Sequence, residues 1–320
     1  MRALSFFTTV ALCFTPMFAT AAGFRLIDMP SDADGPALKA AIWYPCSQPP
    51  GEINYRGIIL PGVNDCPITG ERLPLVVISH GKGGTFIGHH DIAETLADAG
   101  FVVVALNHPG DNAFDTSSTN DLSVFIDRPR DVKRLIDFTL AASPAASKID
   151  PERIGIFGFS RGGYTGLVMI GATPDWVGSE LCQHAWLGSC DKVRDEARTT
   201  TLHDVRVKAA VIVDPLVIMF SAGSFVAIKV PVQLWASENG GDGVSLDSVA
   251  AVAGSLTAAH EYHVVRNAAH LAFLAPCTPA LAAQDPEICR DSGGFDRIAF
   301  HKQFDAAVLA FFSKYLKPPA

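Results

Sequence analysis

The sequence predicts an α/β fold in which helices flank a mostly parallel central sheet. Residues 73–79 and 101–106 are short apolar runs of the kind that form strands buried on both faces of such a sheet. Between them, residues 88–99 carry apolar side chains at helical spacing. Strand, helix and strand at this spacing make one βαβ unit.

A second observation is a Gly-x-Ser-x-Gly pattern centred on Ser160. The apolar segment at residues 148–159 predicts a strand before the serine, and residues 163–171 predict a helix after it. In this context the serine occupies a tight strand-to-helix turn, where Gly158 and Gly162 allow the neighbouring chain to pass closely. We therefore expect the Ser160 hydroxyl to stand clear at the tip of the turn as a nucleophile.

The chain before this turn begins with predicted strands at residues 24–28 and 38–44, which suggest an antiparallel start to the sheet. Residues 45–72 are rich in Pro, Gly and Asn and predict a long loop. Residues 130–141 predict a helix. Residues 172–206 interrupt the alternation of strands and helices, and we interpret them as an insertion over the site, a candidate lid.

The last third of the chain returns to alternating strands and helices. Strands are predicted at residues 207–213, 230–235 and 261–265, and helices at residues 245–258 and 296–316. No internal repeat or low-complexity linker divides this pattern. We therefore predict a single domain over residues 22–320.

Charge and composition limit the classes of partner. The 320 residues carry a net charge of −8 at pH 7 and a pI near 5.6, and 48% of them are hydrophobic. A chain of this length can bury a large core. Nucleic acid is not an expected partner, because no basic surface would neutralise its phosphates.

The first 21 residues have the pattern of a signal peptide. Arg2 supplies the positive charge, an apolar run follows to residue 18, and residues 19–21 are the small residues that suit a signal peptidase. The mature chain is expected to begin near Ala22. No later stretch reaches about 18 uninterrupted apolar residues. We therefore expect a secreted or periplasmic protein without stable membrane insertion.

Cysteine usage also favours export. One of the seven cysteines leaves with the signal peptide, and the even number that remains suggests disulfides. The six fall into three pairs that are close in sequence, and we predict the bonds Cys46–Cys66, Cys182–Cys190 and Cys277–Cys289, each closing a loop outside the central sheet. The cysteines have neither a Cys-x-x-Cys spacing nor a nearby Cys/His cluster, which argues against a zinc site. We also expect no organic cofactor.

The order of the motifs indicates a narrower fold class. A serine elbow, then carboxylates at strand ends, then a histidine in a late loop is the order of the α/β-hydrolase fold. Six motifs spread over nearly all of the mature chain are Ile-Trp-Tyr-Pro at 42–45, Ser-His-Gly at 79–81, Gly-Phe-Ser-Arg-Gly-Gly at 158–163, Val-Asp-Pro at 213–215, Ala-Ala-His at 268–270 and Phe-Asp-Arg at 295–297. With them the sequence resembles the branch that contains platelet-activating-factor acetylhydrolases and bacterial dienelactone-hydrolase-like proteins. The resemblance implies an α/β-hydrolase fold and a short-chain acyl or lipid-like ester as substrate.

The serine needs a base, because its hydroxyl is a poor nucleophile until its proton is taken. Of the ten histidines, His270 has the best position, since it follows a strand near the end of the domain. His80 lies in the loop after the strand at residues 73–79, and we expect it to shape the oxyanion loop there.

Three carboxylates are candidates for the acid that orients the histidine. Asp214 ends the strand after the lid segment and matches the position that the acetylhydrolase branch uses. Glu238 and Asp242 lie one strand later, at the commoner α/β-hydrolase position. Related sequences carry an acid-x-Asp turn there, and the extra glycines in this chain depart from it, which favours Asp214 without excluding the other two.

Backbone N–H groups are expected to stabilise the oxyanion. The fold provides them at Arg161, which follows the serine, and at Lys82, which follows the His-Gly pair. The sequence leaves open whether the two side chains are solvated or attract an acidic substrate group.

These observations predict a secreted serine hydrolase that cleaves a carboxylic ester, a small-molecule substrate, through a Ser160 acyl-enzyme. An amidase or peptidase with the same triad is the alternative enzyme. A non-catalytic binding protein on a hydrolase scaffold is the alternative outside enzymes. Dienelactone hydrolysis is less expected, because enzymes of that type usually have a cysteine in place of the serine.

Overall fold

The computed structural model describes residues 21–184, 189–200, 202–291 and 293–318. Within these residues ten strands form one sheet. Their bounds are β1 (Ala21–Met29), β2 (Leu38–Cys46), β3 (Gly51–Tyr55), β4 (Ile58–Asn64), β5 (Leu73–Ser79), β6 (Val102–Asn107), β7 (Ile149–Phe159), β8 (Val207–Val213), β9 (Val232–Ser237) and β10 (His260–Val265).

The strands follow the spatial order β10-β9-β8-β7-β5-β6-β2-β1-β4-β3. The six strands from β10 to β6 all run parallel. Strand β2 joins β6 in antiparallel register, and β1 pairs antiparallel with β2. The mostly parallel sheet and its antiparallel start, both predicted from the sequence, are thus confirmed.

Helices cover both faces of the sheet. In the described residues the α-helices are α1 (His90–Asp98), α2 (Val124–Ala141), α3 (Arg161–Met169), α4 (Glu180–His184), α5 (Ser189–Thr199), α6 (Leu246–Ser255), α7 (Pro279–Gln284) and α8 (Arg297–Leu316). Successive side chains of a strand point to opposite faces. Val76 of β5 therefore joins the core under α1 and α8, and Val77 joins the core under α2, α3 and α6.

The prediction of a long loop over residues 45–72 is wrong, because β3 and β4 form a hairpin there. Arg56 and Gly57 have φ values of 52° and 87°, which are the positive values that a two-residue hairpin turn requires. Ile53 and Leu60 pair across the hairpin and bury their side chains. A proline and a glycine within β4 conceal this alternation in the sequence.

Helix α2 begins at Val124, six residues before the predicted start at residue 130. Pro129 lies inside the helix and removes one backbone hydrogen-bond donor. Because proline usually interrupts a helix, the sequence does not predict helical structure before it. The apolar residues of the first turn pack against Tyr164 of α3. This packing extends the helix towards the site.

All three predicted disulfides are confirmed. The bonded pairs are Cys46–Cys66, Cys182–Cys190 and Cys277–Cys289. The first differs from expectation in one respect, since it closes the β3–β4 hairpin, which belongs to the sheet rather than lying outside it. It therefore ties the sheet edge to the end of β2.

The predicted signal peptide lies almost entirely outside the described residues. Its last residue, Ala21, is the first residue of β1, so a mature chain from Ala22 keeps nearly all of that strand. Among the described residues, none of the helices combines the length and apolar character that crossing a membrane requires. The candidate lid contains α4 and α5, which pack beside α3, while residues 185–188 and 201 of it are not described.

Candidate active site

Ser160 lies at the junction of β7 and α3. It has φ 57° and ψ −118°, and a positive φ of this kind costs a non-glycine residue about 1–3 kcal/mol. Its backbone N–H donates to the Val213 carbonyl at 2.9 Å, and its own carbonyl accepts from the Leu216 N–H at 3.0 Å. One bond joins Ser160 to the last residue of β8 and the other joins it to the loop after β8. Together they hold Ser160 in its strained conformation.

Close approach of backbone segments explains the two glycines beside the serine. A Cβ on Gly158 would lie 2.1 Å from the carbonyl oxygen of Gly162. A Cβ on Gly162 would lie 1.9 Å from the carbonyl oxygen of Ser79. Backbone atoms cannot rotate away as a flexible side chain would, so the elbow requires glycine at both positions.

His270 begins a 3₁₀ turn, His270–Phe273, shortly after β10. Its Nδ1 lies 2.9 Å from Oδ2 of Asp214 and donates to it, because an ionised carboxylate only accepts. Its ring stacks on Phe159 with a centroid separation of 4.6 Å. Since Phe159 directly precedes Ser160, this stack brings the imidazole to the serine elbow.

Asp214 follows β8 with a φ of 40° and is fully buried. Its Oδ1 accepts the backbone N–H of Ser237 at 2.7 Å. Its Oδ2 accepts the Ser237 hydroxyl as well as Nδ1 of His270. Three donors from two other segments therefore fix the orientation of this carboxylate.

The other two candidate acids lie apart from this arrangement. Glu238 is exposed and accepts the backbone N–H of Asn267 at 2.7 Å. Asp242 is exposed in the turn that follows β9. Of the three carboxylates, the structure brings only Asp214 into contact with His270 among the described residues.

The Ser160 hydroxyl and Nε2 of His270 form no hydrogen bond to another group in the described part of the chain. Such bonds between nucleophile and base are often long without substrate and tighten in the reacting complex. Proton transfer between these two atoms therefore stays a prediction.

The predicted oxyanion loop lies directly against the serine, since a Cβ on Gly81 would be 3.2 Å from Cβ of Ser160. The Gly81 carbonyl accepts the Gly84 N–H at 3.2 Å and Nδ1–H of His80 at 2.6 Å. The C=O and N–H of a trans peptide point in opposite directions. The Lys82 N–H is therefore directed away from these two donors.

The state of His80 follows from its burial. Desolvation, followed by the charge of Arg128, lowers the pKa of His80 to about 3, so the ring is neutral. Its Nε2 accepts the backbone N–H of His108 at 3.3 Å. The proton consequently lies on Nδ1, which donates to the Gly81 carbonyl of the predicted oxyanion loop.

The side chains of the two proposed oxyanion donors have different surroundings. Lys82 is exposed and its Nζ donates to Oδ1 of Asn120 at 3.1 Å. Arg161 is 8% exposed and its Nη1 lies 2.8 Å from Oδ2 of Asp111. The sequence left open whether these two side chains are solvated or attract an acidic substrate group. The Arg161 side chain is buried and paired with Asp111, so it is not solvated.

Sequence reasoning missed Ser237, Asp111 and Arg128. Ser237 is the last residue of β9. Its importance lies in its contact with Asp214, which is 23 positions away in sequence. Asp111 lies in a polar loop without a motif, and Arg128 precedes a proline. No local pattern marks these residues, because their partners come from other segments of the chain.

One cluster in the described residues offers metal-ligand atoms. The side chains of Asp91, His301 and Asp305 have such atoms within 4.8 Å of one another. However, Nδ1 of His301 pairs with Asp91 at 2.6 Å, and its Nε2 donates to the Ala272 carbonyl at 2.9 Å. With an acceptor at each nitrogen the ring is held as imidazolium and has no free lone pair for a metal. We interpret the cluster as an ion pair that anchors the turn carrying His270.

Comparisons with known proteins show similarity in sequence over part of the chain and in fold over nearly all of it. The family profile described as platelet-activating factor acetylhydrolase, isoform II, matches residues 59–125. This stretch contains β5 and the predicted oxyanion loop, and over it the predicted resemblance is confirmed. A comparison with curated protein sequences gave no match.

Among solved structures, a ferulic acid esterase from Streptomyces cinnamoneus at 2.4 Å resolution is similar to the chain. The TM-score is 0.63 at 17% sequence identity, and the alignment covers 96% of this chain and 95% of that chain. Similarity of this extent at low identity shows a shared fold. The predicted α/β-hydrolase fold is therefore confirmed.

Proposed function

We propose that the protein is an exported serine hydrolase that cleaves carboxylic esters through an acyl-enzyme on Ser160. One observation carries the proposal. Nδ1 of His270 donates to the buried carboxylate of Asp214 directly beside the elbow that presents the serine. This is the arrangement that turns an imidazole into a base for a serine hydroxyl.

We propose the following reaction. Nε2 of His270 takes the Ser160 proton while Oγ attacks the ester carbonyl carbon, and the carbonyl π electrons move to its oxygen. The N–H groups of Lys82 and Arg161 donate to that oxyanion. When the tetrahedral intermediate collapses, the bond to the alcohol oxygen breaks and His270 returns the proton to the leaving alcohol. Water then repeats the sequence on the acyl-enzyme and releases the acid.

The substrate class comes from the similar proteins. The matching profile is described as a platelet-activating factor acetylhydrolase and the similar structure as a ferulic acid esterase. We therefore propose an ester with a short acyl chain or lipid character rather than an amide. Export is proposed on the predicted signal peptide and is supported by three disulfides, since such bonds persist in oxidising compartments.

Labelling with a fluorophosphonate probe tests the proposal, with hydrolysis of p-nitrophenyl acetate and longer acyl esters measured in parallel. We expect the wild type to label and turn over, and Ser160→Ala to lose both. Ser255→Ala, which removes a partly exposed hydroxyl near the end of α6, is the matched control and should behave as wild type. A folded wild type that neither labels nor turns over would favour the binding-protein alternative. Labelling with turnover of anilides in preference to esters would favour the amidase.

A further inference from the structure

A buried carboxylate lies behind the oxyanion loop and collects four donors. Asp111 follows β6 and is fully buried. Its Oδ1 accepts the Thr119 hydroxyl and the Gly83 N–H, the latter at 3.3 Å. Its Oδ2 accepts Nη1 of Arg128 at 2.6 Å and Nη1 of Arg161 at 2.8 Å. The four donors come from four separate parts of the chain.

The charge state of this group is well defined. Burial by itself raises the pKa of Asp111, but the Arg128 charge, the Thr119 hydroxyl and the Arg161 charge together bring it below its usual value. Burial lowers the pKa of Arg128 to about 10, which still leaves it protonated at neutral pH. Asp111 is therefore an ionised acceptor between two guanidinium groups, and such charge-assisted bonds are the strong ones.

On one side the network fixes the oxyanion loop. Asp111 holds the N–H of Gly83, and Nη2 of Arg128 donates to the carbonyl of His80. Lys82 lies between these two anchored peptide groups. Because the direction of the Lys82 N–H depends on the peptides on either side of it, both contacts bear on where that N–H points.

On the other side the same carboxylate holds the start of α3. Arg161 is the residue whose backbone N–H follows the serine, and its side chain folds back to Asp111. The same Nη1 also donates to the Thr119 carbonyl at 2.8 Å. The position of residue 161 is thereby tied to the carboxylate that anchors Gly83.

We propose that Asp111 and the Arg161 side chain are positioning residues that hold the two oxyanion donors, the N–H groups of Lys82 and Arg161, at a fixed separation. The inference rests on the proposed function and adds to it two side chains that touch neither substrate nor the triad. Arginine suits this place better than lysine, because its planar guanidinium directs several N–H groups in a fixed geometry, whereas an ammonium acts as a point charge.

A network that only stabilised the fold would affect unfolding and leave turnover of the folded enzyme unchanged. A network that positions donors affects the barrier, because those donors bind the oxyanion more strongly than the ground-state carbonyl. A fall in kcat at constant KM therefore separates the two roles.

The test uses Arg161→Met and Arg161→Lys in the full-length protein with p-nitrophenyl acetate. Arg161→Met removes the guanidinium N–H groups that donate to Asp111 and Thr119 but keeps the backbone N–H of residue 161. Asp111 stays paired with Arg128, so the carboxylate keeps a cationic partner. We expect kcat to fall about 10²-fold, the size of effect that misplacement by about 1 Å produces, with KM unchanged. Arg161→Lys should recover part of the loss. Arg130→Met is the matched control, since Arg130 pairs instead with Asp127 and Glu196, and its kcat should equal that of the wild type.

Thr119→Val provides a second variant if Arg161→Met does not fold. It removes only the hydroxyl that donates to Asp111, and kcat should again fall at constant KM. Unchanged kcat in a folded Arg161→Met, or in Thr119→Val where the first variant is unfolded, would overturn the inference while an active wild type keeps the proposed function. A folded but inert wild type that takes no fluorophosphonate label would overturn both.

Discussion

Replacing Asp214 by asparagine tests the assignment of the triad acid. In the structure Oδ1 accepts the Ser237 N–H, which an asparagine oxygen can also do. The new NH₂ group would then face Nδ1 of His270 in place of Oδ2. Two donors cannot share a hydrogen bond, so the imidazole would move its proton to Nε2 and lose the lone pair that should accept the Ser160 proton. We expect Asp214→Asn to lower kcat roughly 10⁴-fold, as an exchange of this kind does in serine proteases.

The assay measures kcat for p-nitrophenyl acetate beside two controls. Glu238→Gln and Asp242→Asn change the other candidate acids, which are exposed and lie apart from His270, and they should retain the kcat of the wild type. Circular dichroism and urea unfolding establish that Asp214→Asn is folded. Asp214 is not the acid if the kcat of folded Asp214→Asn stays within about tenfold of the wild-type value, or if Glu238→Gln or Asp242→Asn causes the large loss.

Three further predictions concern stability. Ser237→Ala removes one donor to Asp214 and should lower the free energy of unfolding by about 1–3 kcal/mol; an unchanged urea midpoint would contradict this. Gly162→Ala forces a Cβ to 1.9 Å from the Ser79 carbonyl oxygen and should destabilise by about 1–3 kcal/mol or more. Gly254 is exposed in α6, and a Cβ there would have nothing within 4 Å, so Gly254→Ala should instead stabilise the protein by about 0.5–1 kcal/mol. Equal changes in the free energy of unfolding for Gly162→Ala and Gly254→Ala would contradict the close backbone approach at the elbow. Burial, and then the nearby charge of Asp91, raises the pKa of Asp305 from 3.8 to about 8, while His301 and His90 act in the opposite direction and Glu94 adds to the rise. Between pH 3.8 and about 8, Asp305 therefore keeps its proton in the folded state and has lost it in the unfolded state. The free energy of unfolding falls as the pH rises through this window, by up to about 1.4 kcal/mol per pH unit. Asp305→Asn should reduce that slope in urea unfolding, and an unaltered slope would refute the assignment.

The sequence predicts best where one local pattern decides the structure. The strand at residues 207–213 has the predicted bounds, because all of its residues except Lys208 are apolar and buried, as in an inner strand of a parallel sheet. The helix predicted at residues 296–316 is also found, with Asp296 as its N-cap, where its side chain accepts the Ala299 N–H. The disulfide pairs were predictable because the cysteines are close in sequence.

Prediction from sequence is weaker where the deciding contact is distant. The hairpin of β3 and β4 is stabilised by pairing with β1 and by burial of Leu60, and neither is visible in a segment rich in Pro, Gly and Asn. The identity of the acid depended on the distance from His270 to three carboxylates, which only the fold determines. Asp111 lies 50 positions from Arg161, so no spacing in the sequence points to their contact.

In the proposed mechanism Ser160 carries the acyl group during turnover. Wild-type protein can be quenched with acid during hydrolysis of p-nitrophenyl acetate, digested and analysed by peptide mass spectrometry. We expect an acetyl group on Ser160 in the peptide that spans the elbow, and none at this position in Asp214→Asn, where attack is slow. Turnover by the wild type without any acetyl group on Ser160, or with the acetyl group on another side chain, would contradict the acyl-enzyme mechanism.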